Sequence, residues 1–386
     1  LPEFKIQAQA FTEWVVETWG DKYVQPGETV RFFVTLNPHV QHIAEQQLSR
    51  LIKDGAVPPQ YDAGAVMMAL NGRVQAMVGS VNWSQRQFNN AVKARVQAGS
   101  TAKLPLLIAA CEAGKSPESR VLDQPVRGSW PANGEQGYRG QTTLKEAFAS
   151  SRNAAAVRLT QELGADTVAT VSRRIGIDPG PAADSSFVLG SYSSNVMTMT
   201  AAYTAVANGG YQIEPSGVLA VVDGRGQVRA DFLTPMRTRV IPEKCIEPTQ
   251  ALLREVVQNG TGRTARLKHW AAYGKTGTST GNADAWFIGW SEQRVFGVWM
   301  GRRRGEPGQA VAGAGAPATY FGRVATAVNE WAERQQRLEE QRLANARTKR
   351  GLDPSKTVDW FSSLPRAIPL PDTSSAQERP SKEKRT

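Results

Sequence analysis

Cysteine and histidine are scarce in this chain, and each shortage removes a class of chemistry. Two cysteines, Cys111 and Cys245, cannot build a disulfide scaffold or a multi-cysteine zinc cluster. The sequence leaves open whether they pair or stay free. Three histidines, His39, His42 and His269, are too few and too scattered for a histidine metal site or a histidine-based catalytic triad. His39 and His42 fall on one predicted helix, but no Glu or third His completes a site, so they read as surface residues. No apolar run approaches the roughly 20 residues that a membrane-crossing helix needs. Leu1-Pro2-Glu3-Phe4 carries neither an initiator Met nor a signal-peptide pattern, so the sequence is expected to be a piece of something longer. What remains is 386 residues, 40% hydrophobic and 21% charged, enough for two or three domains with a sizeable core. The net charge of +11 is spread along the chain, which fits a soluble surface and a basic tail; no nucleic-acid partner is expected.

Residues 1–60 read as a linker or lead-in module. Asn37-Pro38 is a helix start, with Asn as N-cap and Pro in the first turn, and Val40, Ile43, Ala44, Leu48, Leu51 and Ile52 follow on one face. Ala65–Leu70, Asn71-Gly72 and Val74–Ser80 form a predicted β-hairpin, because Asn-Gly accepts the positive φ of its turn. A second strand cluster is expected far downstream, over residues 270–278, 285–290 and 295–301. Helices are expected between them, at 102–113, 144–150, 154–163, 198–208 and 249–259. Strands at both ends with helices between predict an α+β fold over 61–331: an antiparallel β-sheet flanked by helices, with a largely helical subdomain. Residues 332–386 hold 12 Lys/Arg and 8 Asp/Glu and five prolines, and predict a charged helix to about Lys349 and then a disordered or loosely attached tail. Trp360 and Phe361 are the hydrophobic exceptions in that tail.

Two catalytic motifs fail on inspection. Gly277-Thr278-Ser279-Thr280-Gly281 matches G-x-S-x-G, but that nucleophile elbow needs a histidine after its serine, and every histidine precedes Ser279. Gly274-Lys275-Thr276 resembles the end of a P-loop, yet His269 stands where its first glycine belongs. A third arrangement survives. Ser100-Thr101-Ala102-Lys103 sets a hydroxyl and an amine three residues apart, on one face of a predicted apolar helix. Ser100 would lie at the helix's positive end, and a desolvated Lys103 beside another cation can lose its proton and act as base. Ser151-Arg152-Asn153 precedes a second helix, where Ser151 or Asn153 could equally be a mere cap. Lys275-Thr276-Gly277-Thr278 ends a predicted strand, and its glycine would admit another backbone or a ligand. Each element is weak alone: S-x-x-K recurs at Ser381…Lys384, and S-x-N at Ser80–Asn82 and Ser193–Asn195.

In this order, S-x-x-K, S-x-N and K-T-G form the signature of β-lactamases and penicillin-binding proteins. The surroundings resemble the transpeptidase domain of class A (bifunctional) penicillin-binding proteins over roughly residues 25–330. The likeness runs through Thr35-Leu36-Asn37-Pro38, Gln87-Phe88-Asn89, Trp130-Pro131-Ala132-Asn133 and Gly140-Gln141-Thr142-Thr143-Leu144. It continues through Leu189-Gly190, Ala201-Ala202-Tyr203, Asn208-Gly209-Gly210 and Asp284-Ala285-Trp286-Phe287. Two departures bear on the substrate groove: Leu104 stands where the family usually has Pro, and Arg302-Arg303-Arg304 replaces an acidic or polar turn.

The resemblance implies D,D-transpeptidation of peptidoglycan stem peptides, with a D,D-carboxypeptidase side reaction and inhibition by β-lactam antibiotics. Ser100 is the implied nucleophile, Lys103 the general base, Ser151 a proton relay, and Asn153 an orienting group for Lys103 and the substrate amide. Lys275, Thr276 and Thr278 would hold the terminal carboxylate, with Gly277 between them, and the N–H groups of Ser100 and Thr278 would form the oxyanion hole. No metal and no cofactor is implied. The expected partners are a covalently linked glycosyltransferase domain preceding Leu1 and cell-wall synthesis proteins. The expected location is the bacterial periplasm, at the outer face of the cytoplasmic membrane, anchored by a segment outside this chain. Two rivals share the motifs: a serine β-lactamase, disfavoured because no E-x-x-L-N segment supplies a deacylating base, and an inert penicillin-binding sensor or scaffold.

Overall fold

The strand Tyr61–Ala69 has lost the usual alternation, since every residue from Tyr61 to Met68 is buried, as expected where both sheet faces are covered. It is the fourth strand of a five-stranded antiparallel sheet whose order is Tyr273–Thr278, Asp284–Ser291, Arg294–Arg302, Tyr61–Ala69, Val74–Val78. In this computed structural model the described residues are 8–128, 130–133, 137–181, 183–303 and 311–349. The sheet is thus closed by the two distant strand clusters that the sequence predicts. The Asn71-Gly72 hairpin forms as expected, with Gly72 at φ +81°.

Neighbouring residues of one strand show what covers each face. Gly297 packs so tightly on the helix Val196–Ala207 that an added Cβ would run into Thr200 Oγ1. Phe296, pointing the other way, meets Phe321 of the helix Ala316–Lys349 edge-on at 5.5 Å. The helix Pro38–Lys53 packs near Val74–Val78 and is capped by the Asn37 side chain as predicted, through His39 N and Val40 N. Phe11, Trp14 and Trp19 belong to the same buried cluster as Met77 and Val218.

Beside the sheet lies a helical region built from Leu104–Glu112, Leu144–Ala149, Asn153–Leu163, Ala165–Arg174 and Ile246–Gln258. The fold is therefore α+β, as predicted. The stretch expected to be mostly helical also holds short strands. Arg120–Asp123 pairs with Gly140–Thr143, Tyr211–Ile213 with Arg237–Arg239, and Val218–Asp223 lies between Val30–Val34 and Val228–Asp231. Cys111 and Cys245 are joined in a disulfide that ties the end of the helix Leu104–Glu112 to the turn before Ile246–Gln258.

The chain divides into two units, Leu1–Asn329 and Glu330–Thr386. The second is helical to Lys349, with Arg337–Glu333 and Arg342–Glu339 pairs along its exposed surface. The expected tail, with Trp360, Phe361 and the second S-x-x-K, lies outside the described residues. Among the described residues no helix is long and apolar enough to cross a membrane.

Candidate active site

Ser100 and Lys103 sit in a 3₁₀ turn, Gly99–Lys103, that runs directly into the helix Leu104–Glu112. Pro105 falls in the first turn of that helix, where a missing N–H costs no hydrogen bond, so Leu104 shifts the proline without breaking the helix. The turn is pinned from beneath: Tyr203 Oη donates to Thr101 O at 3.0 Å, and Thr101 Oγ1 donates to Ala98 O at 2.6 Å. Ser100 is half-buried and Lys103 is buried.

The Lys103 amine points across to the Ser151 turn. Its Nζ lies 2.8 Å from Ser151 O, 2.8 Å from Asn153 Oδ1 and 3.3 Å from Ser151 Oγ. Ser151 adopts a positive φ of 56°, a costly backbone state for a residue with a side chain. The capping alternative for this motif does not hold. The helix Asn153–Leu163 receives no side-chain cap from its adjoining residue. Instead Asn133, twenty residues upstream, accepts from Asn153 N at 2.8 Å and Ala154 N at 3.1 Å. Relieved of capping, Asn153 accepts from Lys103 and donates through Nδ2 to Ala132 O at 2.9 Å. The other S-x-N copies are structural; Asn195, for one, caps the helix Val196–Ala207.

Lys275 reaches the same hydroxyl from the sheet. Its Nζ donates to Ser151 Oγ at 2.8 Å and lies 5.4 Å from the Phe148 ring centroid. Ser151 Oγ is thus the meeting point of two buried amines. Thr276 Oγ1 is 2.6 Å from Thr261 Oγ1, and Thr278 Oγ1 accepts from Gly313 N at 3.1 Å. Gly277 supplies the close approach expected of it: an added Cβ would lie 2.8 Å from Ala98 O and 2.9 Å from Thr101 Cγ2. A Cβ on Gly99 would meet the Thr278 backbone N at 2.9 Å, so the Ser100 turn and the K-T-G strand touch backbone to backbone. Gly277→Ala should therefore push strand and turn apart. We expect it to slow covalent labelling by a fluorescent penicillin about a hundredfold and to cost about 1–3 kcal/mol of stability. Labelling kinetics and denaturant unfolding of the same preparation check both.

Burial pushes both lysines toward their neutral forms. Lys103 is held well below the ordinary lysine value by burial first and by the Lys275 charge second, with Asp123 opposing. Burial alone pushes Lys275 down to about 7. One proton is therefore easily lost from the pair, whose two amines titrate together.

A cleft of about 270 Å³ opens over this cluster, lined by Ser100, Asn153, Thr278, Trp130, Gln97 and Gly190 among others. Of the eight predicted site residues, Ser100, Asn153 and Thr278 line the cleft, Lys103, Ser151 and Lys275 are hydrogen-bonded to one another, and Thr276 and Gly277 lie on the strand between Lys275 and Thr278. Ser279 lines the same cleft, but its Oγ accepts from Asp284 N at 2.9 Å and serves the turn, in keeping with the rejected nucleophile elbow. Sequence reasoning assigned no role to Asn133 or Asp123. Both act through contacts 10–30 residues distant, which no local pattern reveals. Among the described residues no three His, Cys, Asp or Glu side chains are grouped to hold a metal ion.

A serine turn, an S-x-N loop and a K-T-G edge strand around two buried amines are the arrangement of motifs that β-lactamases and penicillin-binding proteins carry. The chain belongs to the penicillin binding protein transpeptidase domain family, which it matches over residues 63–313. It is 34% identical over 238 residues to penicillin-binding protein 1A of Aquifex aeolicus, covering 60% of this chain and 32% of that protein. It is 30% identical over 326 residues to penicillin-binding protein 1B of Vibrio cholerae, covering 79% and 41%. The chain thus spans about a third to two fifths of the length of these curated relatives. Among solved structures, PonA1 of Mycobacterium tuberculosis in complex with penicillin V superposes with a TM-score of 0.74 at 25% identity, covering 84% of this chain and 93% of that one. Penicillin-binding protein 1A of Haemophilus influenzae shares the fold with a TM-score of 0.73 at 19% identity, covering 85% and 71%.

Proposed function

We propose that this domain is a serine D,D-transpeptidase that cross-links peptidoglycan stem peptides and is acylated by β-lactams. The observation that carries the reading is the convergence of the buried Lys103 and Lys275 amines on Ser151 Oγ, with Ser100, one 3₁₀ turn before Lys103, lining an open cleft. In this mechanism Ser100 Oγ attacks the carbonyl joining the two terminal D-alanines, and neutral Lys103 takes its proton. The negative charge developing on the carbonyl oxygen meets the N–H groups of Ser100 and Thr278, a type of contact whose loss typically costs about 10²–10³ in rate. Ser151, held by Lys275, passes a proton to the leaving D-alanine amine. Asn153 orients Lys103 and the substrate amide, and Lys275, Thr276 and Thr278 receive the terminal carboxylate. An amine from a second stem peptide then attacks the acyl-enzyme; water in its place gives the carboxypeptidase side reaction.

For the whole protein we propose a glycosyltransferase domain and a membrane anchor ahead of this segment, cell-wall synthesis partners, and a periplasmic site of action. Relatives named penicillin-binding protein 1A and 1B, each much longer than this chain, speak for that arrangement. The Cys111–Cys245 disulfide suits an oxidising compartment.

The test is intact-mass analysis after incubation with penicillin, followed by peptide mapping. One penicilloyl group on Ser100, persisting well beyond the assay, is expected. An adduct on Ser279, or no adduct, would overturn the assignment, and rapid loss of the adduct to hydrolysed penicillin would make the protein a β-lactamase.

A further inference from the structure

Behind the Ser151 turn lies a carboxylate that the reaction itself does not use. Asp123 ends the strand Arg120–Asp123 and is fully buried. One of its oxygens lies 3.2 Å from Arg152 Nη1 and accepts from Arg139 N at 3.0 Å; the other accepts from Asn133 Nδ2 at 2.7 Å. Both side-chain partners flank the residues that hold Lys103. Arg152 stands between Ser151 and Asn153 and also donates to Gly137 O at 2.8 Å. Asn133 carries the helix cap, gripping Asn153 N and Ala154 N. Ser151, with its positive φ, comes directly before these two anchored residues, Arg152 and Asn153.

Resting on the transpeptidase reading above, we infer that Asp123 is a positioning residue: through Arg152 and Asn133 it clamps the Ser151–Asn153 turn and keeps Lys103 in register with Ser100. A buried carboxylate is costly unless its oxygens are well satisfied, and here each oxygen takes a short contact from the framework of the turn. A second consequence is electrostatic. The charged groups facing the Lys103 amine are Lys275 from the sheet and Asp123 from its strand, while Arg152 faces Asp123 in turn, with Arg139 close to Arg152. Asp123 is the negative charge among them, so it favours the protonated form of Lys103, whereas Lys275 opposes that form.

The two consequences separate a clamp from a mere stabiliser. Asp123→Asn keeps the shape and removes the charge. Second-order labelling by a fluorescent penicillin should fall about a hundredfold, the loss expected when a reacting group is displaced by about 1 Å. The acidic limb of its pH profile should also move to lower pH, because Lys103 without the nearby carboxylate loses its proton more readily. Asp123→Glu keeps the charge and should return the limb to its wild-type position, even if the rate is only partly restored. Asn133→Ala removes the cap but no charge, and should slow labelling at an unmoved limb. An unmoved limb in folded Asp123→Asn, or wild-type labelling by Asn133→Ala, would overturn the inference. If Asp123→Asn does not fold, the Glu variant and Asn133→Ala decide it: a displaced limb in the first or an undiminished rate in the second refutes the clamp. Failure of the functional reading is separately visible, since wild-type protein would then carry no penicilloyl group on Ser100.

Discussion

Lys103→Arg is expected to slow acylation of Ser100 by about a thousandfold, within the 10²–10⁴ range typical of a general base, while Lys275→Arg slows it only about tenfold to a hundredfold. Both lysines are buried, both reach the Ser151 hydroxyl, and burial pushes both toward neutrality. They differ in what else they touch. Lys103 lies 2.8 Å from Ser151 O and 2.8 Å from Asn153 Oδ1. Those two oxygens can only accept, so a neutral amine spends its two N–H groups on them and keeps its lone pair for a hydroxyl proton. A guanidinium, which stays charged at any working pH, has no lone pair to offer.

Lys275 donates to Ser151 Oγ at 2.8 Å and to Thr276 O at 3.2 Å, and it faces the Phe148 ring, a contact that favours the charged form. Charge is what the proposed mechanism asks of it, and arginine keeps that charge in a poorer shape. Arginine at 275 also preserves the cation that drives Lys103 toward its neutral form, so the acidic limb of the rate profile should stay near its wild-type position. The measurement is the second-order rate of labelling by a fluorescent penicillin across pH, on variants of unchanged circular dichroism. Equal rates for the two variants would remove Lys103 from the role of base.

Much of this site was legible because its parts lie at fixed short spacings. Ser100 and Lys103 are three residues apart in a turn that leads into a helix, and Lys275 to Thr278 form a strand end. The hairpin at Asn71-Gly72 and the cap at Asn37 were legible for the same reason: the residue's own backbone preference decides the conformation. Contacts made across long separations were hidden. Asn133 displaced the local candidates as cap of Asn153–Leu163, and Asp123 joined Arg152 across the core. The strands Tyr211–Ile213, Val228–Asp231 and Arg237–Arg239 escaped because three or four residues are too few to show a period. The disulfide was left open for a geometric reason, since pairing depends on Cα atoms that the fold brings to 5.6 Å.

Removing that disulfide should cost far more stability than activity. Cys111 and Cys245 are 134 residues apart, and their link encloses the helix Leu104–Glu112 from its last turn onward, the Ser151 turn and the helical region up to Ile246–Gln258. Closing so long a loop lowers the entropy of the unfolded chain by an amount worth close to 5 kcal/mol at most, and native disulfides typically contribute about 2–5 kcal/mol. The bond lies at the far end of the nucleophile helix from Ser100 and makes none of the hydrogen bonds around Lys103. A Cys111→Ala/Cys245→Ala double variant should therefore unfold at a clearly lower guanidinium concentration. It should still acylate Ser100 at 25 °C within about twofold of wild type, because replacements away from the reacting groups leave the reacting geometry in place. Reductant should lower the wild-type midpoint toward that of the double variant and leave the variant itself unmoved. Coincident midpoints for oxidised wild type and the double variant would mean that the cross-link contributes nothing. A large loss of acylation in a variant that remains folded would mean that the bond holds the catalytic turn directly, through the helix it terminates.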